Sequence, residues 1–599
     1  MAEGQYNIND IYQGGVSSFD PEYGDLFTGY RVAAGELGAP TKADTANQLQ
    51  QVGMLLNQGI IPIEVGALDP KVFDAIPKEH FKEINRKAKL AGAKISVHAP
   101  IVAASGITDQ GFEESNRRLA ENQLKHMIDM TAPLNDKGGM SITVHASGRI
   151  PGAEYEMVDG KKKQTSMFVV NKETGKLTTV LKEEKKAYPL EIGTTGEITE
   201  FTIPEQLTSL NKTEWENTLS QILHHIEDAD SRIKDSSQIL LPEILHKVLD
   251  GEMPPNLLKP EEINAYHRLQ SSQVFLSDAR KAVNGMFDKA WKYANEEDKK
   301  RLKDASEHFA KHIAAAQRIK NKDLPQSVAN ESMALHNLIE SMQQIVPEVY
   351  QPIEDFALDH SAKTFANVAL HGLKEHKDNA PVINVENVFP EMAFSTGEEL
   401  DRLVTKTKEE FVSAAVKELG ISESNARQKA DKLIGVTLDV GHLNLSRKHG
   451  FTEEDLLKEV EQVAKHVKHV HLTDNFGRED SHLAPGMGNV PFKEILERLN
   501  KEGFKGTKIV EAPGIPQHFG VSPLPYTLKG MGSSIFKGGQ APYWTQSQGL
   551  LQQYSGGFGH MLPQINYETF GAGFTQLPLE LGGSRPGAQG SRLSGKGME

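Results

Sequence analysis

Short runs rich in Val and Ile recur along this chain, and nearly all of them end on an ionisable residue. They span residues 60–65 (IIPIEV), 93–98 (AKISVH), 141–145 (SITVH), 382–386 (VINVE), 434–439 (IGVTLD), 467–471 (VKHVH) and 507–511 (TKIVE), with a weaker candidate at 30–33 (YRVA). Runs of this length without polar alternation suit parallel strands buried on both faces. Amphipathic helical stretches separate most of them, at 45–56, 77–90, 112–130, 398–419, 453–465 and 492–500. Thr452, followed by Glu453, Glu454 and Asp455, reads as a helix cap with acids in the first turn. The alternation predicts a parallel α/β fold, and eight strands predict a closed (β/α)8 barrel rather than an open sheet.

The alternation breaks once. Residues 148–355 read as a mainly helical insertion in the loop after strand four, with a hairpin around 171–176 (NKETGK) and long charged helices beyond it. That loop opens on the face where barrels carry their sites, so the insertion is expected over or beside the site. A structural or oligomerisation module is the alternative. The remaining divisions are an N-terminal extension over 1–29, barrel segments over 30–147 and 356–520, and a tail over 521–599. The tail is poor in charge and rich in Gly, Gln and aromatics, and its end is expected to be disordered. Insertion or tail is the place for a protein partner.

Composition narrows the chemistry. The chain has no cysteine, so thiolate metal sites are excluded and any transition metal must be held by His, Asp and Glu. A formal charge of −15 lowers the expectation of a dedicated nucleic-acid binder. The first fifteen residues lack a signal-peptide pattern and no apolar run approaches the ~20 residues of a membrane span, so a cytoplasmic location is expected.

A buried strand avoids ionisable residues because burying an unpaired charge is costly. Here His98, His145, Glu386, Asp439, His471 and Glu511 close successive strands, where barrel enzymes place catalytic groups. Three imidazoles and three carboxylates suit Zn, Mn, Fe or Mg. His442, Asp480 and His482 follow close by, and the run 485–491 (PGMGNVP) can form a turn that holds their loop to the rim.

The ordered motifs VHAP, VHAS, VENV, LDVGH, VHLTDN, DSHLAPGMGN and VEAP resemble the xylose isomerase-like TIM-barrel superfamily, and within it most nearly endonuclease IV. The resemblance covers roughly 30–145 and 381–514. It implies up to three Zn2+. His98 and His145 match the first zinc's ligands, with Glu386 bridging. Asp439, His471 and Glu511 match the second set, and His442, Asp480 and His482 the third. The implied activity is phosphodiester hydrolysis at abasic DNA. With a bridging hydroxide the three ions and four carboxylates leave about +1, which suits an anionic substrate.

The alternative is isomerisation or epimerisation of a sugar or sugar phosphate. One Mn2+ or Mg2+ on Glu386, Asp439, His471 and Glu511 leaves about −1, suited to a neutral carbonyl. Glu386 and Glu511 are the catalytic candidates, transferring protons on opposite sides of the substrate. Three features weigh against DNA. The loop after His98 carries no aromatic wedge, only Arg149 and Arg478 stand near the rim motifs as substrate-contact candidates, and the insertion could crowd a duplex. A third reading is a metal-retaining barrel that acts as a binding or scaffold protein.

Overall fold

The computed structural model describes residues 34–148, 150–182, 184–186, 199–320, 323–512 and 522–530. Eight parallel strands close into a barrel in which each neighbours the next in chain order. They are β1 (Leu37–Pro40), β2 (Pro62–Gly66), β3 (Lys94–His98), β4 (Ser141–His145), β5 (Val382–Glu386), β6 (Ile434–Asp439), β7 (Val467–Leu472) and β8 (Thr507–Val510). The chain leaves this pattern after β4 and resumes it through the helix Ile353–His376, as expected of an insertion after strand four.

The first strand corrects the sequence reading. Residues 30–33 lie outside the described residues, and the strand that closes the barrel between β8 and β2 is Leu37–Pro40. Its sequence, LGAP, holds no β-branched residue and gives no propensity signal. Gly38 is required there by close approach. A Cβ would stand 2.5 Å from Pro62 O and 2.6 Å from Ile509 Cδ1.

Parallel register sets the ligand-bearing ends level. Glu386 pairs with His145 across β5 and β4, and Asp439 with His471 across β6 and β7. Outside the strands, helices bury one face each. Glu453–Val463 begins with the expected Thr452 cap, here a full capping box with Asp455, and buries Leu456, Leu457, Val460 and Val463.

The chain divides into two compact units, one built around the barrel and one over Val169–Thr174 and Thr178–Gln351. In the second unit, Asn171 Oδ1 accepts from the Glu173 and Thr174 amides, which forms the turn read from NKETGK. Its helices Ile203–Ile239 and Pro260–Tyr293 bury residues at alternating four- and three-residue steps: Trp215, Leu219, Ile222, Ile226, Ala229 and Ile233 on one, Leu269, Ser272, Leu276, Ala279, Val283, Met286 and Ala290 on the other. That is a coiled-coil seam. Asp235 pairs with Arg268, and Ser272 Oγ donates to Ala229 O, so the two helices run antiparallel.

Trp215 is buried in this seam and its indole N–H donates to Met342 O. Trp215→Ala is expected to destabilise this unit by about 3–5 kcal/mol through cavity formation. Urea unfolding followed by far-UV circular dichroism measures it, and a loss below about 1 kcal/mol would contradict the seam. Among the described residues no helix is long and apolar enough to cross a membrane.

Candidate metal centre

The strand ends bring the expected residues together. His98, His145, Glu386 and Asp439 close β3, β4, β5 and β6. His471 is the penultimate residue of β7, and Glu511 follows β8 directly. Glu386 sits at the centre, almost fully buried. Its Oε1 stands 2.8 Å from His471 Nδ1, and its Oε2 stands 3.3 Å from His98 Nε2 and 3.4 Å from His145 Nε2. His471 Nδ1 also lies 3.5 Å from Glu511 Oε2.

Asp439 has two duties. Its Oδ1 caps the short helix Val440–Asn444, accepting from Gly441 N (2.7 Å) and His442 N (3.0 Å), and also accepts from Thr473 Oγ (2.6 Å). Its Oδ2 is left toward the site. Gly441 is obligatory here, because a Cβ would fall 1.9 Å from Thr473 Oγ. Asn387 clamps the same strand end, accepting from Asp439 N at 2.8 Å and donating to Asp439 O at 2.9 Å, while its own carbonyl lies 3.0 Å from His442 Nδ1.

Three overlapping groups have ligand atoms within 4.8 Å of one another: His98, His145 and Glu386; Glu386, Asp439, His471 and Glu511; and Glu64, His98, His471 and Glu511. His442, Asp480 and His482 are not such a group among the described residues. Asp480 Oδ2 lies 2.7 Å from His482 Nε2 but 3.8 Å from His442 Nε2. His482 adopts a positive φ of 43° and its Nδ1 faces Glu511 O at 3.3 Å. So this third set adjoins the centre without converging on one point.

The donor set fits a cation on a direct observation. Glu386 Oε2, Asp439 Oδ2 and Asp480 Oδ1 are buried without any hydrogen-bond partner. Orphaned carboxylate oxygens are expensive, and one cation satisfies several at once. The imidazoles register the same negative field. Burial pushes His98 down, but Glu386 lifts it to about 9. Burial likewise opposes His442, and Asp439 with Asp480 lifts it to about 10. His482 rises to about 9 through Asp480 against its own burial, and His471 rises well above the ordinary range against complete burial, through Glu511, Glu64 and Glu386. His145 is the exception: burial prevails and holds it down to about 4. Burial pushes Glu511 up, whereas His471 and His98 overcome the burial of Glu386 and hold it well below the usual carboxylate range.

The turn foreseen at 485–491 has a specific anchor. Buried Asp474 accepts from Gly486 N and Gly488 N through Oδ2 (2.8 Å each), and from Asn475 N (2.9 Å) and Val490 N (3.1 Å) through Oδ1. Of the two expected substrate arginines, Arg478 is exposed on that loop and Arg149 lies outside the described residues.

The AP endonuclease family 2 profile, described as xylose isomerase-like TIM barrel, matches residues 273–523. The closed barrel of eight parallel strands is a TIM barrel, and the matched segment is similar to the xylose isomerase-like family. The profile covers β5 to β8, hence seven of the nine expected ligands, and leaves His98 and His145 to the strand geometry. An uncharacterised protein of Methanocaldococcus jannaschii is 33% identical over 84 residues, which is 14% of this chain and 27% of that protein. The fructoselysine 3-epimerase of Shigella flexneri is 28% identical over 58 residues, 10% of this chain and 21% of that protein. The chain thus matches about a quarter of the length of these relatives. Similar solved structures include a D-tagatose 3-epimerase-like protein (12% identity, 86% of this chain and 98% of that one, TM-score 0.36). Another is D-psicose 3-epimerase with D-tagatose from Clostridium cellulolyticum H10 (8%, 85% and 98%, TM-score 0.35).

Within this barrel, one residue escapes sequence reading. Glu64 lies in the middle of β2 and is fully buried, with Oε1 2.9 Å from His471 Nε2. The run IIPIEV contains it, and a carboxylate inside such a run is the signal that could have drawn attention to it.

Proposed function

We propose that this chain is a divalent-metal-dependent isomerase or epimerase acting on a sugar or sugar phosphate. The observation that carries this reading is the four-residue group Glu386, Asp439, His471 and Glu511, compact enough to serve one ion. A divalent ion held there would polarise a substrate carbonyl and acidify the neighbouring C–H. Glu386 and Glu511 are then the pair that takes a proton from that carbon and returns one on the opposite side. Glu386, fully enclosed, is held as the carboxylate and serves as base; Glu511, less enclosed, serves as the partner acid. His98, His145, His442 and His482 surround the pair as hydrogen-bonding groups for hydroxyls. The local likeness to a fructoselysine 3-epimerase supports the sugar reading over the hydrolase reading.

Phosphodiester hydrolysis at abasic DNA is kept as a second reading for one reason: all nine expected ligands lie at or beside the strand ends, and Asp480 Oδ1 has no partner. One experiment separates the two. The purified protein is analysed for metal, then incubated with Mn2+ and a panel of ketoses and ketose phosphates in D2O. The expected result is about one metal per chain in this centre, with deuterium entering the carbon beside the carbonyl by NMR. About three zinc per chain, no exchange, and incision of a duplex with one abasic analogue would instead establish the hydrolase.

A further inference from the structure

We propose that Glu64 is a positioning residue for His471: it holds the ring by Nε2 and so presents Nδ1 to the metal centre. His469 and His471, two residues apart on β7, face the same side of the strand. Glu64 reaches both. Its Oε2 accepts from Ser96 Oγ (3.0 Å) and lies 2.9 Å from His469 Nε2, and its Oε1 lies 2.9 Å from His471 Nε2. All three residues touching Glu64 are buried. The His471 ring is therefore held between carboxylates: Glu64 on its Nε2 edge, Glu386 and Glu511 on its Nδ1 edge.

The direction of this arrangement matters. His471 Nε2 and Glu64 Oε1 face each other at 2.9 Å as an ion-pair contact, and neither atom makes a hydrogen bond elsewhere in the structure. With Nε2 protonated toward Glu64, the lone pair is confined to Nδ1, the atom nearest Glu386 and Glu511. A carboxylate behind a ligating imidazole fixes its tautomer and orientation and makes it the stronger donor. Ser96, paired with Glu64 in the β2–β3 register, and His469 fix the carboxylate in turn. The inference rests on the metal reading of the centre and is independent of the substrate.

The test is calorimetric titration of Mn2+ into the metal-stripped full chain. Glu64→Gln keeps the shape but offers only one acceptor to neighbours that need two. It is expected to bind Mn2+ about 10–100-fold more weakly at unchanged stoichiometry. Ser96→Ala, which removes one support from Oε2 and leaves His471 untouched, is expected to stay within about threefold of the wild type. Should Glu64→Gln not fold, Glu64→Asp keeps the charge but withdraws it from His471, with the same expected weakening. In zinc-loaded protein, long-range 1H–15N spectra should show His471 protonated at Nε2. Affinity within about threefold of wild type in the folded Glu64 variants would reduce Glu64 to core filling, and loss of a whole metal equivalent would make it a ligand. Either result overturns the proposal. A wild type that binds Mn2+ but converts no sugar would overturn the substrate reading alone.

Discussion

Glu386→Gln should lower turnover by about three orders of magnitude while leaving the fold intact. Three imidazoles converge on this one carboxylate: His471 on Oε1, His98 and His145 on Oε2. The amide has the same shape, so circular dichroism should not change. It removes one negative charge from a buried, mutually dependent set and puts an NH2 group where that set is built around a carboxylate oxygen. Metal content should fall with activity, because Glu386 belongs to two of the three groups able to hold an ion. Steady-state rates and metal analysis on one preparation are sufficient. A variant that keeps turnover within about tenfold and its full metal content would remove Glu386 from the centre. Under the scaffold reading, partner binding would be indifferent to the change.

Removal of metal should have the second-largest effect, and its size should depend on pH. At a metal concentration 100 times Kd, binding stabilises by about 2.7 kcal/mol, roughly 3–5 °C in Tm for a domain larger than about 250 residues. In the stripped protein, protons on histidine take over part of the cation's role. His98 and His482 rise to about 9 and His442 to about 10, from an ordinary value of 6.5. Each binds its proton more tightly when folded. Its contribution is therefore full below about pH 6.5 and is lost as pH rises through 9 to 10. His145, held down to about 4, acts oppositely and costs stability only as pH falls below 6.5. Chelated protein should thus lose Tm between pH 7 and 10 while Mn2+-loaded protein holds it, widening the gap. Parallel Tm curves with and without EDTA would contradict a cation site.

The depth to which the sequence was legible varied by element, for identifiable reasons. A His or Glu that ends a Val/Ile run has few innocuous explanations, so His98, His145, Glu386, Asp439, His471 and Glu511 were visible as one site. β1 was not, because LGAP has a strand's position without a strand's composition, and the residues proposed for it lie outside the described chain. The coiled-coil seam of the second unit was readable from the steps between Trp215 and Ile233, but charged neighbours obscure a narrow apolar stripe.

By itself, the sequence determined the alternation that closes the barrel and the residue types at its strand ends, since both follow from periodicity and the cost of burying charge. Only the tertiary structure decided which of those residues stand close enough to hold one ion together. Glu386 and His471 are distant in sequence yet stand 2.8 Å apart, whereas Asp480 and His442, on neighbouring rim segments, remain 3.8 Å apart. Only it recruited Glu64 behind His471. Parallel register and inward pointing set those distances, and a contact across a closed barrel leaves no mark at any local spacing along the chain.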